Sequence, residues 1–386
     1  MENFEEKAHL CALNRIFGFE PRLGLALISH FGSASGIFQQ DKDEIDRILG
    51  PYSKYKGKIT TSAADQAADE LHSLSLRGIT FEGITESTYP PLLMDCEDAP
   101  IGLYIKTQTP VSDLWKPESI SIVGTRDISL YGRDWCRRIV QGLSRTESRP
   151  SIISGLALGV DIEAHRTAIE EGLPTIAIMA TGPDSIYPYR HRSFAEKIAS
   201  TPGCALVTDY PPGTAPLAIH FLRRNRIIAG LGKATILVES KSKGGGMMTC
   251  RLAFSYNREI YALPGRADDI CSQGCNELIR EKIAEPITSI SSLTMSLGLN
   301  SYARNDNSHC KKLISRYSER LPETDINIIT NILQLVCKER GITIEEISIR
   351  IGIPYAKASE LTGILEIDGF LSTDLLQRCS INAKNM

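Results

Sequence analysis

The stretch ESISIVGTRDIS, residues 118–129, governs the reading of the whole chain. Its first half, ESISIV (118–123), carries β-branched apolar residues and reads as a strand that Gly124 then breaks. An amphipathic run over about 131–145 predicts a helix behind it. The same punctuation recurs downstream. PSIISG (150–155) reads as the next strand and 161–171 as its helix. PTIAIMA (174–180), CALVTDY (204–210), ATILVES (234–240) and REIYALPG (258–265) are further apolar strands, each separated from the next by a helix or a loop. Strands that are apolar throughout and alternate with helices predict a parallel sheet covered on both faces. The expected fold is therefore α/β, a doubly wound, mostly parallel sheet. In such sheets the ligand crevice lies beyond the carboxyl ends of the strands.

On either side of this core the texture differs. Residues 1–85 place apolar residues at helical spacing between glycines, as in HLCALNRIFG and PRLGLALISHFG, and predict a small helical domain. The core is expected over 86–290. Serine-rich, polar text over 291–314 reads as a linker. Residues 315–386 return to helical periodicity and end in a short β wing, which predicts a winged-helix-like domain. From Arg320 to Met386 that domain has seven Lys/Arg against nine Asp/Glu, a poor electrostatic footprint for DNA.

At 386 residues, 42% hydrophobic and 23% charged, the chain has the composition of a soluble multidomain protein. It has no apolar run of about 18 residues, so no membrane span is expected. Its acidic first residues do not suit a signal peptide. The ten cysteines are scattered without a CxxC pair, and Cys271 and Cys275 lack further ligands nearby. A reducing, cytoplasmic setting with no metal site and no cofactor is the expectation.

The strand ends form one consistent series. They carry Gly124, Thr125 and Arg126; then Ser154, Gly155, Gly159, Asp161 and His165; then TGPDSIYPYRH (181–191), KSKGGGMMT (241–249) and PGRADD (264–269). Glycine at a strand-to-helix turn lets the backbone approach an anion, and the helix N-terminus adds N–H donors. Charge points the same way. Between Ile219 and Lys243 lie six basic residues and one acid, in a chain of formal net charge −3. Neither GxGxxG nor Walker A spacing is present, which weakens a nucleotide-binding reading. Asp161 and His165, four apart, could be an acid–base pair, but a helix-capping Asp with a packed His accounts for them as well.

The motifs SIVGTR, SGLALGVDIEAHRTAI, GPDSIYP, DYPPGTAP, RNRIIAGL, VES, ALPG and GCNELI, in that order between about Tyr89 and Pro286, resemble the DNA-processing protein A (DprA, or Smf) family. The resemblance implies a sterile-alpha-motif-like helical domain, an extended Rossmann-like core and a winged-helix-like tail, and a single-stranded DNA-binding protein rather than an enzyme. It would protect incoming DNA and load a RecA-type recombinase in natural transformation, as a homodimer formed through the Rossmann-like core. By motif position it implies a phosphate contact at Arg126 and a pocket lined or held by Arg224, Asn225 and Arg226. Lys243, Gly245, Gly246 and Thr249 would cradle the strand, with Ser154, Gly155 and Asn276 joining the DNA-binding set. The chain departs from the family pattern at FLRRNR, where proline commonly follows the phenylalanine, and at GGGMM, where a serine-bearing turn is usual. The competing expectation is a Rossmann-like nucleotide or nucleoside-phosphate hydrolase. A third is an interaction scaffold built on the acidic tail.

Overall fold

The computed structural model describes residues 2–115, 118–299, 317, 321–338, 342–374 and 377–381. Residues Met1–Tyr302 form one compact unit and Ala303–Met386 a second.

In the first unit nine strands make one sheet: β1 (Ile79–Gly83), β2 (Gly102–Lys106), β3 (Ser119–Val123), β4 (Ser151–Ser154), β5 (Thr175–Ile178), β6 (Ala205–Thr208), β7 (Ala234–Leu237), β8 (Glu259–Ala262) and β9 (Glu285–Pro286). Their spatial order is β1-β2-β6-β5-β4-β3-β7-β8-β9. Every pairing from β6 through β9 is parallel, and β1 and β2 add an antiparallel edge. From β3 the chain winds outward through β4, β5 and β6, then returns to lay β7 on the other side of β3. The order therefore reverses between β3 and β7, which makes their carboxyl ends the topological switch point.

Helices cover both faces. Leu130–Ser144 (α7) and Val160–Glu170 (α8) bury their apolar stripes on Ile120, Ile122, Ile152 and Ile236. The opposite face, with Val123, Ile153 and Leu237, is covered by Ala218–Leu231 (α10) and Gly245–Ser255 (α11). The alternation within ESISIV follows from this layering. Its isoleucines fill one face, at about 1.5–3 kcal/mol for each fully buried side chain. Ser119 and Ser121 point the other way and donate to the carbonyls of Leu231 and Ile228, each at 2.6 Å. These hydroxyls supply donors to the last turn of α10, whose carbonyls have no intrahelical partner.

Two expected boundaries move. The N-terminal helices α1 (Glu2–Phe17), α2 (Pro21–Phe31), α3 (Ala34–Phe38), α4 (Lys42–Leu49) and α5 (Thr61–Ser75) do not end at a domain break near residue 85. They share a core with Ile79 and Phe81 of β1 and Ile101 and Tyr104 around β2, so this edge of the sheet belongs to both. The expected linker from 291 begins as a helix, α13 (Ile290–Ser296), after α6 (Pro91–Met94), α9 (Arg192–Ser200) and α12 (Gln273–Arg280). Leu293, Leu297 and Leu299 bury on the α7 side of the sheet, a pattern masked in the sequence by the serines between them. The remainder of the expected linker, 300–314, lies outside the described residues.

The second unit runs α14 (Glu323–Lys338), β10 (Ile342–Thr343), α15 (Ile344–Ile351), α16 (Tyr355–Ile367), β11 (Leu371–Thr373) and β12 (Arg378–Ile381). Its strands pair in the order β10-β12-β11. Thr343 and Glu346 form a reciprocal capping box at the start of α15. Among the described residues no helix is long and apolar enough to cross a membrane.

Candidate functional site

The switch point is built from two strand ends. Beyond β3 the chain turns at Gly124, and Arg126 stands exposed. Beyond β7, Lys241 and Lys243 are exposed on the loop that leads into α11. Among the described residues none of these three cations pairs with a carboxylate. The first amides of a helix have no intrahelical acceptor, so the N-terminal turn of α11, at Gly245 and Gly246, offers N–H donors between the two strand ends. Gly245 is exposed, and a Cβ there would meet nothing within 4 Å. Gly246 is packed against Leu237 and Gly124.

Arg126 is oriented from two sides. Its guanidinium lies over the ring of Phe221 at 5.1 Å, and Tyr187 meets that ring edge-on at 5.4 Å. The loop that carries Arg126 is held by the buried Glu239. The Glu239 carbonyl accepts from Thr125 N at 2.8 Å, and its carboxylate accepts from Ser129 N at 3.0 Å and from the Ser129 hydroxyl. Ser129 in turn caps α7 by accepting from Gly132 N at 3.0 Å. On the far side Gly159, at φ +76°, brings the start of α8 against the Thr125–Arg126 backbone, where a Cβ would overlap the Thr125 carbonyl. Val160 N donates to that carbonyl at 3.1 Å.

The arginines of RRNR turn inward onto carbonyls and a carboxylate. Arg224 is buried and donates through Nη1 to the carbonyls of Gly155, at 2.5 Å, and Ile178. Burial pulls its pKa down to about 10, Asp161 opposes that shift, and Arg126 adds to it. Arg226 forms a buried ion pair with Asp209 at 2.6 Å and also donates to the Asp98 carbonyl. Arg223 donates to the carbonyls of Phe19 and Gly18 at 2.5 and 2.6 Å, where α1 runs out toward α2. One side of α10 is thus clamped to the strand ends and the N-terminal helices.

The expected contact set therefore divides. Arg126, Lys243 and Gly245 are accessible. Arg224, Asn225 and Arg226 are buried, and the two arginines hold the floor. Ser154 is buried with its hydroxyl on the Ile122 carbonyl at 2.6 Å, and the Gly155 carbonyl is taken by Arg224. Thr249 is buried and donates back to Gly245 O at 3.2 Å within its own helix. Asn276 uses both ends of its amide on Gly265, donating to O at 3.1 Å and accepting from N at 3.2 Å, so it braces the loop after β8.

The Asp161–His165 pair is also internal. Gly159, not Asp161, occupies the cap position of α8, and Asp161 accepts from Ala157 N at 3.3 Å. Burial raises the Asp161 carboxyl, and Arg224 holds it back. His165 is buried, and its Nδ1 lies 2.7 Å from the Thr175 hydroxyl, which itself donates to Ile152 O. Neither group opens to a substrate.

A second feature was not singled out in the sequence. Against Arg126 a cleft of about 370 Å³ opens between the first turns of α7 and α8 and the turn at 189–191. It adds Arg133, Arg166 and Arg190 to the basic surface. Arg166 and Arg190 sit inside quoted motifs, in EAHRTAI and YPYRH, but nothing in their spacing marks them as neighbours. Among the described residues no group of three or more His, Cys, Asp or Glu is placed to hold a metal ion.

The sequence profile of the family described as DNA recombination-mediator protein A matches residues 80–298. The chain belongs to that family. The DNA processing protein DprA of Streptococcus pneumoniae is 37% identical over 51% of this chain and 67% of its own length. Protein Smf of Synechocystis is 36% identical over 76% of this chain and 73% of its own. Among solved structures, DNA processing protein A from S. pneumoniae superposes with a TM-score of 0.61 at 29% identity, covering 76% of this chain and 95% of that one. DNA processing protein A from Helicobacter pylori, solved for its single-stranded DNA binding mode, superposes at 0.50 with 28% identity over 56% and 95%. The family match spans the whole switch point, from β1 to α13.

Proposed function

We propose that this chain binds single-stranded DNA across the rim between β3 and β7, protects it, and passes it to a RecA-type recombinase as a dimer formed through the Rossmann-like core. The observation that carries the DNA-binding reading is the pair of strand ends at the switch point. Arg126 and Lys243 are exposed there with no carboxylate partner among the described residues, beside a helix N-terminus opened by Gly245 and Gly246. Unpaired cations and free amides suit phosphate, so affinity is electrostatic and nearly independent of sequence. The Helicobacter relative's single-stranded DNA binding mode supports the choice of polymer. The recombinase and dimer parts rest on family membership.

Fluorescence anisotropy of a labelled single strand, with a duplex control and a salt series, tests the reading. Tight, salt-sensitive binding that favours the single strand is expected. Equal binding of duplex and single strand, or binding indifferent to salt, refutes it. Hydrolysis of a nucleoside phosphate by pure protein, lost in Arg126→Ala, would support the enzyme reading in its place. The buried Asp161 and His165 supply nothing toward that chemistry.

A further inference from the structure

We propose that the arginine cleft beside Arg126 is a second backbone-phosphate subsite, which extends the track of a bound single strand beyond the switch point. The inference rests on the single-strand reading above and adds a direction and a length to it.

Four arginines line the cleft, and its two acids do not cancel them. Glu163 is taken by Arg137, with Nε to Oε1 at 2.5 Å, and Arg133 stands 4.0 Å from its other oxygen. That leaves Asp127 against Arg126, Arg166 and Arg190, and among the described residues none of these three forms an ion pair. Two of them are already oriented. Arg126 lies on Phe221 at 5.1 Å and Arg166 on Phe194 at 5.8 Å. An aromatic face under a guanidinium fixes its plane and leaves the N–H edge free, the edge that matches phosphate oxygens. Arg190 is anchored through its neighbour His191, whose Nδ1 donates to the Leu156 carbonyl at 2.9 Å.

The cleft shares Arg126 with the switch point, so a strand held at Lys243 and Arg126 has a continuous basic path into it. A cleft of about 370 Å³ has room for a nucleotide unit, at the small end of ordinary ligand pockets. Unpaired cations spread along a wall suit the successive charges of a phosphodiester chain.

The test compares wild type with the double variant Arg166→Ala/Arg190→Ala, using a short and a long oligothymidylate over a salt series. Arg138→Ala serves as the charge control, because Arg138 pairs with Asp134 on the exposed side of α7. Both cleft arginines are exposed, so the fold is expected to survive their removal. For the long oligonucleotide the slope of log K against log salt should fall by roughly 1.4, which is two phosphates at about 0.7 each. The short oligonucleotide and the control should keep the wild-type slope. An unchanged slope with the long oligonucleotide overturns the second subsite while leaving the single-strand reading intact. Loss of ATP binding in the double variant, with oligonucleotide binding unaffected, assigns the cleft to a free nucleotide and also overturns it. If wild type binds no single strand at all, the proposed function itself fails.

Discussion

The Arg224 guanidinium is packed on Gly155: Nη1 donates to the glycine carbonyl at 2.5 Å, and a Cβ on residue 155 would overlap the guanidinium. Arg224 is thus a beam under the strand ends. It ties the end of β4 and the end of β5 to α10, and its charge sits beside the buried Asp161.

Arg224→Ala should therefore act first on stability. It removes the donor to two buried carbonyls and the positive charge that favours the Asp161 carboxylate, a loss of about 1–3 kcal/mol for each buried acceptor left unpaired. Gly155→Ala should destabilise in the same direction by displacing the same group. Urea unfolding measures both, and a variant as stable as wild type would contradict the structural role.

Arg126→Ala and Lys243→Ala should behave in the opposite way. Both side chains are exposed and, among the described residues, form no ion pair, so stability should stay within about 0.5 kcal/mol of wild type. Each should flatten the salt slope of single-strand binding by about 0.7. A fall in affinity with no change in slope would move the phosphate contact elsewhere.

Glu239→Gln separates support from contact. The carboxylate accepts from the Ser129 amide and hydroxyl and sits against Gly132, so the amide both weakens those bonds and turns an NH2 toward a donor. A loss of about 1.5–3 kcal/mol is expected from hydrogen bonds to a charged group. DNA affinity should fall through misplacement of the Arg126 loop while the salt slope is kept.

Acid sensitivity should carry the signature of His165. Burial, with Arg224 adding to it, lowers its pKa from 6.5 to about 3 in the fold. Above pH 6.5 the folded and unfolded states are both neutral at this residue, and its full contribution is present. As pH falls from 6.5 toward 3 the unfolded chain takes up a proton that the native state refuses, so stability is lost at up to about 1.4 kcal/mol per pH unit. Between pH 6.5 and roughly pH 5 this amounts to about 2 kcal/mol. His9 and His191, also shifted down by burial, add to the same limb. His165→Gln should make the dependence of unfolding free energy on pH shallower in this window, whatever it does to stability at neutral pH. An unchanged slope would count against the buried neutral imidazole.

Much of the architecture was legible in the chain itself. Apolar strands such as ESISIV and ATILVES, each ended by a turn and followed by an amphipathic helix, admit few folds other than a covered parallel sheet, because both faces of every strand must be buried. The strand ends pointed to loops on which Arg126, Lys243 and Gly245 are open to solvent. What the sequence could not say is which way a cation points. Arg223, Arg224 and Arg226 look alike on paper, yet each is drawn inward by carbonyls or a carboxylate contributed from 17 to 205 residues away. The arginine cleft is the reverse case, since Arg126, Arg166 and Arg190 meet only when α7, α8 and the 189–191 turn converge. Local pattern determines which elements form, because periodicity and turn chemistry act over a few residues. Whether a charge becomes a strut or a contact is decided by partners distant in sequence, and only the tertiary structure brings these together.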